Sequence, residues 1–342
     1  MRRSVLLLFL FACVPVRAAD KVNEAIGRGV EFLLKQQSDD GAINDLEKKR
    51  RDVNAMTGLS IMALAAVGHQ PTDDTPEGKA LARALEFILA DGRQDASGYY
   101  GKSDGSRMYG HGIVTLMLAE MVGMGVDAQQ DALIRKRCQR AVELILRAQR
   151  VAKKDQKHDG GWRYGPDAVD ADLSVTVWQV MALRAAKNAG LDVPKEAIEQ
   201  TVGYIKRSYT TKRNVKGAFG YQPGNGPTYS TASEGLLALQ VCGEYDAPEV
   251  AGAASWLHST PPNVAGNWFY YGTYYFAQGM YQRGGEFAEP ARQTVESLML
   301  AQQQPDGSWK GISREAESRV YCTALAVLSL SVRHHFMPIY QR

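Results

Sequence analysis

Seven aromatic residues crowd one uncharged stretch of the chain: Trp268, Phe269, Tyr270, Tyr271, Tyr274, Tyr275 and Phe276. Tyrosine is a costly core filler, because each hydroxyl needs a partner once water is removed. Tyrosines concentrated on one helix therefore suggest a pocket that is apolar in body and polar at intervals. Trp268, Tyr271 and Tyr275 are spaced by three and four residues, which returns them to one helical face. Tyr109, His111, Trp178, Tyr229 and Glu234 lie on other apolar helical runs and are candidates to complete the lining. Glu234 and His111 are the candidate polar anchors, since a buried ionisable group at a helix start is expensive without a purpose. The ligand that suits such a set is an apolar or amphiphilic small molecule. Ordinary core, with the tyrosines bonded to backbone, is the competing reading of the same residues.

The second candidate is a pair of carboxylates, Asp170 and Asp172, placed just before the apolar run 173–189. Asp172 stands where a helix N-cap belongs, and a carboxylate there is favoured by the helix dipole. In an aromatic cleft the same pair is what a glycan-processing α/α barrel would need for acid–base work. Three cysteines lie beyond the first 18 residues, Cys138, Cys242 and Cys322, far apart and odd in number, so a disulfide framework is not expected.

The elements that must position these residues recur along the chain. Six times an amphipathic helix is followed by a Gly-x-aromatic turn, or a near match, and then by a drier helix. The turns begin at Gly41, Gly98, Gly160, Gly217, Gly266 and Gly307. Expected amphipathic helices cover 22–37, 80–89, 133–149, 197–206, 247–257 and 292–303; the drier ones cover 53–67, 109–122, 173–186, 231–241, 268–280 and 320–332. A helix apolar nearly all round must be buried, so the two kinds imply two concentric layers. Six pairs close naturally into a ring, an all-α α/α toroid, and no period-two alternation suggests a sheet.

Arg28, Gly29, Val30, Glu31, Phe32 and Leu33, followed by Gln37 and Gly41, resemble the QW repeat of squalene and oxidosqualene cyclases. Similar groupings are Arg83 with Phe87, Arg140 with Ile145 and Gln149, and Leu298 with Gln303, Gly307 and Trp309. The resemblance extends to the protein prenyltransferase β-subunits and covers essentially all of 19–342. It implies the toroid. In squalene–hopene cyclases a DxDD motif supplies the acid that protonates the isoprenoid; here Asp170 and Asp172 match its first part, and Leu173 stands at the last Asp. The zinc-binding Asp-x-Cys of the prenyltransferases is also incomplete, with Val320 two residues before Cys322 and the histidines 334 and 335 about three turns on. Cys242, Gly243 and Glu244 are similar to a thioester motif of complement-type toroids, but Tyr245 replaces the glutamine that bond requires. No cofactor and no metal are expected.

The first 18 residues read as an export signal: Arg2 and Arg3, an apolar run 5–14, and small-residue cleavage before Ala19. Leu10, Phe11, Ala12 and Cys13 resemble a lipobox, and membrane association is expected only if Cys13 carries a lipid. Arg2, Arg3 and Arg17 account for the formal net charge of +3, so the rest of the chain is balanced and has no nucleic-acid footprint. The expectation is a periplasmic or extracellular, cyclase-like toroid that binds an apolar or amphiphilic ligand. A protein-interaction module, with a protein partner on its outer surface or rim, is the other class.

Overall fold

The computed structural model describes residues 16–47, 51–211, 217–334, 336 and 338–340. Most of the signal segment, Cys13 included, and the histidine at 335 lie outside them. Twelve α-helices are present among the described residues. The outer helices are α1 (Val16–Lys35), α3 (Pro76–Leu89), α5 (Ala128–Gln149), α7 (Lys195–Arg207), α9 (Pro248–His258) and α11 (Ala288–Gln302). The inner helices are α2 (Val53–Ala66), α4 (Arg107–Met121), α6 (Leu173–Asn188), α8 (Tyr229–Val241), α10 (Phe269–Arg283) and α12 (Arg319–Leu330). Each inner helix packs on the next, and α12 packs back on α2, which closes the ring. The chain is an α/α toroid. The only strands among the described residues are a two-residue antiparallel pair, Tyr209–Thr210 with Ala218–Phe219.

The layering follows from side-chain chemistry. Every residue of α2 is buried, whereas α1 keeps Glu24, Arg28 and Glu31 in water and buries Val22, Ile26, Val30 and Leu33. The glutamine at or just beyond the end of an outer helix ties neighbouring repeats together. Gln37 donates to the carbonyls of Gly41 (2.9 Å) and Ala80 (2.8 Å), and Gln149 to those of Gly160 (3.2 Å) and Ala197 (2.9 Å). Gln303 donates to Gly307 (2.9 Å) and, across the seam, to Ala25 on α1 (2.8 Å). The sequence reading found these three; Gln94, bonded to Gly98 and Arg137, is a fourth.

The turns work as plugs. Ile43, Tyr100, Trp162, Phe219 and Trp309 are all buried, and the Trp162 and Trp309 indoles donate to the carbonyls of Ile145 and Met299. The turn at Gly266 departs from the pattern, because Trp268 is 40% exposed. Its backbone is left-handed, φ 61°, at the entry to α10, which turns the indole away from the core.

At the far end of the ring the C-terminal turn Pro338–Tyr340 packs against α6. There the Ile339 amide donates to the Glu120 carboxyl at 3.3 Å. Burial pushes Glu120 up from 4.5 to about 7. An acid whose folded pKa is raised holds its proton in the fold while the unfolded chain ionises, so stability falls as pH rises from 4.5 to about 7. Glu120→Gln is therefore expected to flatten this part of the profile, with a gain on the order of 3 kcal/mol above pH 7 and none near pH 4. Urea melts at both pH values check it, and an equal effect at both would contradict it.

Candidate functional site

The N-termini of the inner helices converge on one end of the ring, and a cavity of about 900 Å³ opens there. Its aromatic wall comprises Tyr109 from α4, Trp178 from α6, Tyr271 from α10, Tyr321 from α12, and Tyr164 and Tyr221 from the loops. Trp268 stands over the mouth. Ala55, Met56 and Ile113 add apolar surface, and Ser174, Ser230, Thr231 and Glu234 add polar points. The rim carries Asp45, Asp52 and Glu317 with Arg51 and Arg314.

Carboxylates from neighbouring loops hold the helix entries in place. Asp104 accepts from the Asn54 amide at 2.8 Å on α2, and Glu315 from the Tyr271 amide at 2.9 Å on α10. Asp45 accepts from the Arg319 amide at 3.0 Å on α12, so the first repeat caps the last inner helix. These bonds satisfy amides that a helix start leaves orphaned. Asp52 and Arg107, like Trp268, have left-handed backbones at helix entries on this rim. Such conformations cost roughly 1–3 kcal/mol each and cluster at functional sites.

Glu234 is the buried acid of the cavity. It has no solvent exposure, and neither carboxyl oxygen has a hydrogen-bond partner of ordinary geometry. Burial raises its pKa well above the carboxylate range; the Ser174 hydroxyl eases ionisation and the Asp172 charge opposes it. Glu234 is thus held as the neutral acid, able to donate one hydrogen bond.

The structure brings Tyr109, Trp178, Glu234, Trp268 and Tyr271 to the cavity and moves the other candidates off its lining. Tyr275 lies beneath it, fully buried, with ring centroids 5.0 Å from Tyr271 and 5.7 Å from Trp178. Trp268 caps the helix rather than continuing it, so the expected single face is broken at its start. Tyr229 packs between α8 and α10, its hydroxyl 3.3 Å from that of Thr273 and its ring against Phe276.

His111 is a structural residue, not an anchor of the cavity. Its Nδ1 accepts from the Tyr100 amide at 3.3 Å and its Nε2 donates to the Ala141 carbonyl at 3.1 Å. Thr57, Thr176 and Thr323 receive the turn amides of Ile43, Trp162 and Trp309 in the same way. His111 takes the threonine's place in its repeat, and burial lowers its pKa to about 4, so it stays neutral.

Asp172 caps α6, accepting from the Val175 amide at 2.8 Å. Its other oxygen lies 3.5 Å from Arg163 Nε, and Asp170 lies 3.7 Å from the same nitrogen. Burial lifts Asp172 to about 6 against the pull of the Val175 amide, Arg163 and the Tyr221 hydroxyl. Neither Asp170 nor Asp172 lines the cavity; Tyr164 and Tyr221, with hydroxyls 2.7 Å apart, stand in the wall there. Cys322 is buried and donates to the Glu315 carbonyl at 3.2 Å, and Cys242 closes the C-terminus of α8.

The sequence reading missed Tyr321, Tyr164, Tyr221 and Ser174. Tyr321 starts an inner helix, as Tyr109 does, and that shared position was the available signal.

Fold and cavity together define an α/α toroid with a pocket at the inner-helix N-termini. No family model matches the sequence, and no curated protein matches it. Solved structures do. The type II terpene cyclase MstE from Scytonema superposes with a TM-score of 0.62 at 16% identity, covering 93% of this chain and 99% of that one. An α-1,6-mannanase, GH76A of a Salegentibacter species, superposes with a TM-score of 0.61 at 10% identity over 93% and 99% of the two chains. MstE has also been solved, as a variant, with geranylgeranyl dihydroxybenzoate, its substrate. At these identities the likeness establishes the toroid and nothing finer.

Proposed function

We propose that this protein takes an apolar or amphiphilic, isoprenoid- or lipid-like molecule into the central cavity. One observation carries the reading: a cavity of about 900 Å³ walled by aromatic rings, with Glu234 as its buried acid. That volume falls within the range of small-molecule sites. Leu46 and Ile312, exposed beside the lining residues Asp45 and Arg314, and Trp268 on the lip give the rim apolar surface over which such a ligand would enter. The substrate of MstE is a molecule of this kind, which supports the reading by analogy of fold. The resemblance to cyclase repeats points the same way; the departure at Leu173 and the capping role of Asp172 argue against that motif acting as the acid.

Titration with farnesol, followed by tryptophan fluorescence, tests the proposal. A saturable change at micromolar concentration is expected, since Trp178 lines the cavity. Absence of saturation would remove the reading. The fold of the mannanase motivates a second reading, glycan processing, and a response to an α-1,6-linked mannotetraose instead of farnesol would establish it. We also propose export, from the N-terminal segment; protein recovered from its own cells should then begin at Ala19, and a retained Met1 would refute it.

A further inference from the structure

The lining divides by chemistry. Trp178, Tyr109, Tyr271 and Tyr321, from four different inner helices, face one space, and Glu234 stands in the same lining, where the Ser174 hydroxyl is the one group that favours its ionisation. At the mouth the Asp52 carboxyl is held above its ordinary range by burial and by Asp104, with Glu317 adding to the effect and Arg51 opposing it. Asp45, Asp52 and Glu317 outnumber Arg51 and Arg314 on this rim by one charge. Ring faces of Trp and Tyr carry negative potential and attract organic cations, most strongly where water is excluded. A buried carboxylate is costly, and an opposite charge is the partner that relieves it. A wholly neutral apolar ligand would fill the walls and leave Glu234 as it stands.

We propose that the ligand of this cavity carries an organic ammonium head, quaternary or protonated, seated against Glu234 in the box of Trp178, Tyr109, Tyr271 and Tyr321, with its apolar chain filling the rest. This rests on reading the cavity as an amphiphile site and names the class of amphiphile. The inner-helix N-termini bring partial positive charge to the same end, but Asp104, Asp172, Glu315 and Asp45 already cap four of the six.

Binding then carries a proton balance. The O–H bond of Glu234 breaks, the proton passes to bulk buffer, and carboxylate and ammonium remain as a pair. The groups facing Glu234 are Ser174 and Asp172 at the start of α6, Tyr109 on α4, Tyr271 and Tyr275 on α10, and Tyr321 on α12. Ala55 and Met56 line the α2 side and carry no charge. Burial holds all four phenols well above 10, so they stay neutral. Asp172, lifted to about 6, ionises over the same range, and the comparison of Glu234→Gln with the intact protein at one pH separates its effect from that of Glu234. Cation affinity should accordingly rise with pH, with up to one proton released per ligand.

Calorimetry with the chain-matched probes decyltrimethylammonium and decan-1-ol tests this. The intact protein is titrated at pH 5.5 and 7.5, in two buffers of different ionisation heat, below micelle formation. The expected result is an ammonium preference of about tenfold at pH 7.5, smaller at pH 5.5, with buffer-dependent heat reporting the released proton. Glu234→Gln should bring the two affinities within about twofold of each other, and Glu234→Asp, if Gln disturbs folding, should keep part of the preference. Equal affinities in the intact protein, or a preference that survives Glu234→Gln, would overturn the proposal. Binding of decan-1-ol alone would overturn it while leaving the amphiphile site standing; binding of neither probe would remove both.

Discussion

Gly307→Ala is expected to cost far more stability than Gly190→Ala, although the two glycines have similar backbones. Their φ values are 88° and 75°, in the left-handed region where an L side chain costs roughly 1–2 kcal/mol. At Gly190 an added Cβ meets nothing within 4 Å, so that strain is the whole effect. At Gly307 it would lie 2.3 Å from the Arg28 carbonyl oxygen, backbone that cannot rotate aside. That contact is the ring seam. Gln303 bonds both Gly307 and Ala25 there, the Arg28 guanidinium donates to Gln303, and Trp309 packs against Gly29. Separating α11 from α1 would leave these bonds unmade and expose the indole. We expect a loss of about 1 kcal/mol at Gly190 and about 3–5 kcal/mol at Gly307. Domains of ordinary stability hold only about 5–15 kcal/mol, so the second variant should be marginal. Urea unfolding of the two variants checks it; equal losses would mean the seam yields without cost and does not hold the ring closed.

The toroid was legible in the sequence because its signals are local and repeated. A helix such as α2, apolar on all sides, has nowhere to go but the interior, and its amphipathic neighbour must cover it. Gln37, Gln149 and Gln303, each followed by a glycine turn, announce the ties between repeats. The cavity was less legible, since its composition depends on which end of each inner helix reaches the centre. Tyr271 and Glu234 were found because chemistry alone marks them: a phenol or an acid in an apolar helix needs a reason. His111 satisfies the same test for another reason. It receives the amide of Tyr100 where other repeats use threonine, an exchange visible only once the repeats are superposed. Trp268 carried a different trap, because its left-handed backbone ends the helical periodicity that relates it to Tyr271. Glu315 and Asp45 lie far in sequence from the helices they cap, and no local pattern connects them.

Tyr271→Ala and Tyr275→Ala, one turn apart on α10, should separate a pocket wall from the core behind it. Tyr275 has no exposed surface and is enclosed by Tyr271, Tyr274 and Trp178, with centroids at 5.0, 4.8 and 5.7 Å. Cutting it to alanine opens a closed void, which for a buried aromatic costs about 3–5 kcal/mol. Phe276, 3% exposed and packed on Tyr229, should lose a similar amount. Tyr271 presents one side to an existing cavity. Its removal enlarges a space already open, so the loss should be distinctly smaller, about 1–2 kcal/mol. Ligand binding should show the reverse order. Farnesol affinity should fall at least about tenfold in Tyr271→Ala, which removes a contacting ring. It should fall less in Phe276→Ala, whose ring packs on Tyr229 between α8 and α10. The measurements are urea melts of the three variants and the same fluorescence titration. Equal stability losses at Tyr271, Tyr275 and Phe276 would make Tyr271 ordinary core, and with it the aromatic wall of the cavity would lose its claim to be a binding surface.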